Sequence, residues 1–299
     1  MIKLGIDIGG TKISIGFLDC NNRLIANKKL VVAEITDPVS EIIDAVHSLC
    51  EECNLSRSEI ISCGIGVPGT VSRDGLKLIK APNLAILPPD FAYLIQDALG
   101  VPTRLIQDSR AAAWGEYLCG GGVGTSTLIC ITLGTGIGTG IIIDGKIVRG
   151  GLGAAGELGH VPIAGGDRIC GCGKQGCVEK YAAGGGLDIT ARELFGKNAS
   201  ATTLFESASQ GHLLAKEAID NAVKQLGCVL VGAVNLLSPD CILFSGGLSE
   251  QTSLYLDPLC EYVRAKCYSA GQLPRLEKAK LGEFSPLIGA ALIMEESTI

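Results

Sequence analysis

The stretch Ile2-Lys-Leu-Gly-Ile-Asp7-Ile-Gly9-Gly10-Thr11-Lys12-Ile13 decides how the chain is read. Residues 2–8 look like a buried strand, and Gly9 to Lys12 a tight loop. A second strand is expected from Ile13 to Leu18, then an Asn21-Asn22 turn and a third strand from Arg23 to Val32. Two residues of turn chemistry between apolar runs make hairpins, so this is an antiparallel meander. The same grammar returns in mid-chain. Thr127 to Leu133 reads as a strand and Gly134-Thr135-Gly136-Ile137-Gly138-Thr139-Gly140 as a glycine-rich loop. Ile141 to Ile143 reads as a strand, Asp144-Gly145 as a turn, and Lys146 to Val148 as a strand. Two such repeats point to a duplicated α/β domain with a cleft between the halves.

Helices fill the intervals. After Asp37-Pro38, apolar residues at Val39, Ile42, Ile43, Val46, Leu49 and Cys50 keep helical spacing. A strand over Thr103 to Gln107 precedes a helix from Ser109 to Leu118 with Ser109 as N-cap. A long apolar-periodic helix runs from His212 to Leu237 and stops before Ser238-Pro239. Cys241 to Phe244 reads as a strand entering Ser245-Gly246-Gly247. The last helix covers Ser285 to Leu292, with Ser as N-cap and Pro at the first position. It is expected to pack back on the first domain.

Composition narrows the function classes. The 299 residues are 47% apolar and 19% charged, which suits a compact two-domain protein. A net charge of −6 with no basic run argues against a nucleic-acid surface. The 13 cysteines and the absence of a secretory signal predict a reducing, cytoplasmic setting. No apolar run is long enough to span a bilayer. Cys50-Glu-Glu-Cys53 has redox spacing, but it falls at the C-terminal end of a predicted helix, where the dipole disfavours a thiolate.

Glu157-Leu-Gly-His160 and Cys170-Gly-Cys172-Gly-Lys-Gln-Gly-Cys177-Val-Glu179 form the other informative segment. One histidine and three cysteines on a short, glycine-rich loop suit tetrahedral zinc. The alternatives are a disulfide or small buried side chains. Cys170 and Cys172 are too close in sequence to pair well, and three thiols leave one over. Four protein ligands, His160, Cys170, Cys172 and Cys177, leave no open position, so the metal would be structural.

Glycine-rich turns follow three predicted strands: Gly9-Gly10-Thr11, Gly134 to Gly138, and Ser245-Gly246-Gly247. Glycines let backbone N–H groups approach phosphate oxygens. Thr11 and Thr135 add hydroxyl donors, Lys12 offers charge or is a solvated surface lysine, and Asp7 could hold Mg2+ through water or be an ordinary strand-end residue. Gly5 to Lys12 lacks the Walker register. Gly151-Leu-Gly153-Ala-Ala-Gly156 matches GxGxxG, but the cysteine segment stands where a long helix should follow.

With Asp7-x-Gly9-Gly10-Thr11, Glu157-x-Gly159-His160 and the CxCGxxGC run, the chain resembles the ROK family (repressors, open reading frames, kinases) over essentially its whole length. The resemblance implies an α/β, two-domain, actin-like (ribonuclease H-like) ATPase fold with ATP and sugar meeting in a central cleft. The expected domains are 1–108 plus 283–299, and 109–282 with the zinc loop. Asp108 matches the catalytic aspartate that takes the proton from the sugar hydroxyl; the alternative is that it belongs to the N-cap region of the helix that starts near Ser109. Asn83, Glu157, His160 and Glu179 match sugar-binding residues, and Gly69 matches a loop that approaches the sugar. His160 would put one ring nitrogen on zinc and the other toward the sugar. Gly10, Thr11, Thr135 and Gly136 match the phosphate loops, with Asp7, Gly9, Lys12 and Gly134 as further cofactor-binding candidates beside them; Gly246 and Gly247 match the adenosine side. The family usually has Asn-Asp at the catalytic position, and here it is Gln107-Asp108, which touches the choice of sugar.

The resemblance implies an ATP-dependent hexose kinase, glucokinase-like and acting at the 6-position, with Mg2+ and structural Zn2+ as cofactors and a homodimer as the usual assembly. Fructose, N-acetylmannosamine and N-acetylglucosamine are the alternative acceptors. The rival class is a transcription repressor or non-catalytic sugar sensor. With the DxGGT loop beginning at residue 7, the expectation is that there is no DNA-binding domain.

Overall fold

The computed structural model describes every residue except Pro82, Asn83, Ala85, Ile86, Ser269, Ala270 and 297–299. Its strands are β1 (Ile2–Ile8), β2 (Lys12–Leu18), β3 (Leu24–Val31), β4 (Ile60–Val67), β5 (Thr70–Val71), β6 (Leu78–Lys80) and β7 (Thr103–Gln107), then β8 (Thr127–Leu133), β9 (Ile137–Ile143), β10 (Lys146–Ile147), β11 (Cys241–Ser245) and β12 (Arg275–Lys278). The first sheet has the order β3-β2-β1-β4-β7 and the second β10-β9-β8-β11-β12. Position by position these are one arrangement used twice, so the internal echo is a duplicated topology. In the first sheet β1, β2 and β3 pair antiparallel, while β4 and β7 run parallel to β1. In the second, β8, β11 and β12 are parallel.

The helices are α1 (Pro38–Glu52), α2 (Phe91–Leu99), α3 (Asp108–Cys119), α4 (Glu179–Ala182), α5 (Gly184–Phe195), α6 (Ala201–Ser209), α7 (Leu213–Leu237), α8 (Asp257–Lys266) and α9 (Ser285–Ala291). The Asp37 carboxylate caps α1 by accepting from the Val39 and Ser40 amides at 3.1 and 3.4 Å. This helix buries Ile42, Val46, Leu49 and Cys50 on one core with Leu4, Ile6, Phe17, Ile65 and Phe91. A second core gathers Ile129, Ile131, Leu226, Leu230, Phe244 and Tyr255. Each such side chain contributes roughly 1.5–3 kcal/mol by leaving water.

Two of the helix expectations shift. α3 starts at Asp108, with Gln107 as N-cap and no side-chain cap bond, because β7 runs straight into the helix and Gln107 keeps the strand's extended backbone. α9 begins with Ser285 already helical and Phe284 in the cap position. The Ser285 hydroxyl instead donates to the buried Glu116 carboxylate at 2.7 Å. Glu116 also accepts from the amides of Gly121, Lys280 and Leu281 at 2.9, 3.1 and 2.8 Å. A buried carboxylate with four donors has exchanged its hydration for fixed hydrogen bonds. It ties α3 to the start of α9. Glycines let these helices touch: a Cβ on Gly289 would lie 1.7 Å from the Ala111 carbonyl oxygen.

The glycine loop of the second meander is also shorter than expected. β9 begins at Ile137, so Gly138 and Gly140 are strand residues. Gly140 is glycine because α3 passes over it, and a Cβ there would lie 2.4 Å from the Ala113 Cβ.

The chain forms two compact units, Met1–Gly124 with Gly140–Ala155 and Ala279–Ile299, and Thr125–Thr139 with Gly156–Lys278. The break expected after Asp108 does not appear there. α3 stays in the first unit because α9 packs along it and because Glu116 holds that pairing.

Candidate active site

In the first unit the carboxyl ends of the parallel strands β1, β4 and β7 lie side by side. Ligands of α/β sheets bind outside such ends. Asp7 pairs in register with Gly66 of β4, whose missing side chain leaves room: a Cβ there would lie 3.3 Å from Asp7 Oδ1. Val67 pairs with Gln107, and Asp108 follows directly as the first residue of α3. The Ser109 amide donates to Asp108 Oδ1 at 2.6 Å, so the helix start fixes that carboxylate. Burial, helped by the Asp108 carboxylate, pushes Asp7 up to about 7, while Lys12 pulls it down. A buried acid raised in part by a second carboxylate suits a divalent cation, which would relieve their repulsion.

Around them, the Gly9 amide donates to the Lys12 carbonyl at 2.9 Å, closing the loop between β1 and β2. Gly10 and Thr11 are exposed, and a Cβ on Gly10 would meet nothing within 4 Å. Lys12 is paired with Glu283 at 3.1 Å, half exposed. Gly69 has a positive φ of 142°, and a Cβ there would lie 2.2 Å from the Lys80 carbonyl oxygen, so the β5–β6 hairpin needs glycine at this point. Asn83 lies outside the described residues.

The second unit holds the histidine–cysteine loop. One ligand atom each from His160, Cys170, Cys172 and Cys177 falls within 4.8 Å of all the others. Cys170 Sγ is 3.6 Å from His160 Nδ1, and Cys172 Sγ is 3.6 Å from Cys177 Sγ. Zinc bonds of about 2.0–2.3 Å set tetrahedral edges of roughly 3.3–3.8 Å, so these residues fit the ion. The Lys174 backbone N–H, the largest influence, holds Cys172 below the ordinary thiol range. Burial pushes Cys177 up.

The carboxylates flank this cluster. His160 Nδ1 faces the thiols and lies 3.7 Å from Glu179 Oε1, and Nε2 lies 3.8 Å from Glu157 Oε2. Glu179 opens the short helix α4. Its Oε1 accepts from the Cys170 thiol at 2.9 Å, and its Oε2 accepts from the Ile137 amide at 3.4 Å. A Cβ on Gly136 would lie 2.9 Å from that Oε2. One carboxylate therefore spans from the cysteine cluster to the glycine loop after β8.

That loop borders a cavity of about 400 Å3, lined among others by Gly134, Thr135, Gly247 and Leu248. Other parts of its lining were missed in the sequence: Gly184 and Gly185, Asp188, Thr202 and Phe205. The Gly184 and Gly185 amides donate to the carbonyls of Gly134 and Thr135 at 2.8 and 3.0 Å. The run Gly184-Gly-Gly186 ahead of Leu187 was the available signal, since a helix opening on glycines lets another backbone come close. Gly246 has a positive φ of 88°, and a Cβ there would lie 2.5 Å from the Leu133 carbonyl oxygen, so its glycine serves packing. Gly247 faces open space. Glycines and threonines beside the apolar Phe205 and Leu248 give this cavity polar groups and an apolar face, a lining that suits a nucleoside.

Residues 3–297 match the ROK family. A glucokinase of Streptomyces coelicolor is 34% identical over 99% of this chain and 98% of its own. An N-acetylmannosamine kinase of Salmonella newport is 29% identical over the whole of both. The crystal structure of a ROK family glucokinase from Streptomyces griseus, in complex with glucose and AMPPNP, superposes with a TM-score of 0.80 at 30% identity, covering 97% of this chain and 98% of that one. The two-unit α/β architecture is thus the one that ROK kinases share.

Proposed function

Because this chain belongs to the ROK family, we propose that it transfers the γ-phosphoryl group of ATP to a hexose hydroxyl, with glucose as the first acceptor and the 6-position as the site. The observation that carries the reading is Asp108, fixed by the Ser109 amide beside Asp7 at the strand ends. Asp108 accepts the proton of the attacking hydroxyl as the new O–P bond forms and the bond from the γ-phosphorus to the bridging oxygen breaks, releasing ADP. Gln107 and Gly69 shape the sugar side with Asn83. Glu157, Glu179 and the Nε2 edge of His160 bind sugar hydroxyls. Backbone donors of Gly9, Gly10, Thr11, Gly134, Thr135 and Gly136 take phosphate oxygens, with Lys12 nearby; Gly247 borders the adenosine, and Gly246 holds that turn against Leu133. When bound, Mg2+ offsets phosphate charge next to Asp7, and Zn2+ on His160, Cys170, Cys172 and Cys177 stiffens the sugar-binding loop.

A second acceptor, N-acetylmannosamine, is supported by the full-length Salmonella relative and by Gln107, whose longer amide alters the sugar contact. The same membership supports a homodimer. No helix among the described residues is long and apolar enough to cross a membrane. A panel of hexoses and amino sugars with Mg·ATP, read by coupled ADP release, tests the reading. Turnover with glucose carries it, turnover with N-acetylmannosamine alone moves the acceptor, and no turnover with any sugar overturns it.

A further inference from the structure

Beyond the edge strand β7, the first unit holds a second cavity of about 470 Å3. Five cations line it, Arg73, Arg104, Arg110, Lys146 and Arg149, against the two carboxylates of Asp74 and Glu296. This runs against a chain of net charge −6. Both acids are already engaged. Glu296 is held by Arg149 through two hydrogen bonds of 2.5 Å. Asp74 accepts from the Ser72 hydroxyl at 2.5 Å and the Leu76 amide at 3.0 Å within the hairpin turn. Arg110 spends one guanidinium nitrogen on the carbonyls of Gly153 and Ala155, at 2.7 and 3.0 Å.

Arg73, Arg104 and Lys146 remain. No side chain of the three makes a hydrogen bond or ion pair among the described residues; Arg104 is partly buried at the wall, and Arg73 and Lys146 are exposed. A partly buried guanidinium that shares a cavity with two more unpaired cations is left to water or to an anion. Its planar fork matches phosphate oxygens in pairs. The volume takes a metabolite, not a polymer. We propose that this cavity binds the phosphoryl group of a small phosphate ester, of hexose-phosphate size, at Arg73, Arg104 and Lys146. Gln107 forms part of the wall, so the ligand would sit behind the peptide that precedes Asp108.

The test is calorimetric titration of the full chain, with glucose and a nonhydrolysable ATP analogue present, using inorganic phosphate and glucose 6-phosphate as separate probes. The expected result is saturable binding that weakens about tenfold or more in Arg73→Ala/Arg104→Ala and weakens further as salt rises. Tighter binding of glucose 6-phosphate assigns the ester; equal binding assigns the phosphoryl group alone. Lys146→Ala, at an exposed position, gives a second variant should the double one fold poorly. No saturable binding of either probe by the unaltered protein overturns the proposal. So does undiminished binding in folded variants, which would place the anion elsewhere. The variant comparison decides the matter whether or not the chain phosphorylates sugars.

Discussion

His160 places Nε2 3.8 Å from Glu157 Oε2 while Nδ1 faces Cys170 Sγ at 3.6 Å, so a single ring joins the thiol cluster to a carboxylate outside it. A metal on the Nδ1 edge would fix the tautomer and the aim of the Nε2 edge. Cys172→Ser is therefore expected to lose zinc and sugar affinity together, with the sugar KM rising about 10- to 100-fold. Metal analysis alongside sugar binding checks this. Loss of zinc with unchanged sugar affinity would detach the loop from the sugar site.

Asp108→Asn keeps shape and removes the proposed base. Sugar affinity is expected to stay within a few-fold, while kcat falls by about 10²–10⁴. Single-turnover phosphorylation and equilibrium sugar binding separate the two effects. Near-normal turnover would take the base role from Asp108.

Much of this frame was legible beforehand, and what was missed has physical causes. The Asn21-Asn22 and Asp144-Gly145 turns mark hairpins through local chemistry, and both strand–loop–strand repeats were found from them. Glycine was the ambiguous letter. Gly140 and Gly289 are small because α3 crosses them, Gly246 because it meets Leu133, and Gly10 has no neighbour at all. Sequence shows the absence of a side chain, not whether helix or ligand fills the space. Glu116 was equally opaque, since its donors come from residues 121, 280, 281 and 285, and only the fold assembles them. The His160–Glu179 segment was readable because sulfur and imidazole at short spacing have few other uses.

Asp7 carries a pH prediction. Its folded value is raised from 3.8 to about 7, so the folded protein keeps a proton that the unfolded chain releases. Stability of the ligand-free protein is then expected to fall as pH rises across that window. Asp7→Asn removes the penalty. It should gain stability at pH about 8, on the order of a few kcal/mol at most, and gain almost nothing at pH about 4, while losing turnover. Urea melts at the two pH values decide it. Equal gains at both would mean that the buried charge is not the cause.

The glycines separate packing from binding in a last, paired prediction. At Gly289 a Cβ would overlap the Ala111 carbonyl oxygen at 1.7 Å, with the Gly115 amide 2.7 Å away. Both are backbone and cannot swing aside. Gly289→Ala must push α9 off α3, which also strains the Glu116 bonds at the helix start, and is expected to cost about 3 kcal/mol or more. At Gly10 a Cβ meets nothing, and the backbone has no positive φ to strain. Gly10→Ala should therefore leave the melting temperature within about 2 °C, because surface changes that touch nothing are nearly neutral. Yet it should raise the KM for ATP or lower kcat, because the added methyl stands where a phosphate would approach the loop amides. Melting curves and ATP titrations on both variants check the pair. A Gly10→Ala protein with unaltered ATP kinetics would remove the first glycine loop from nucleotide binding.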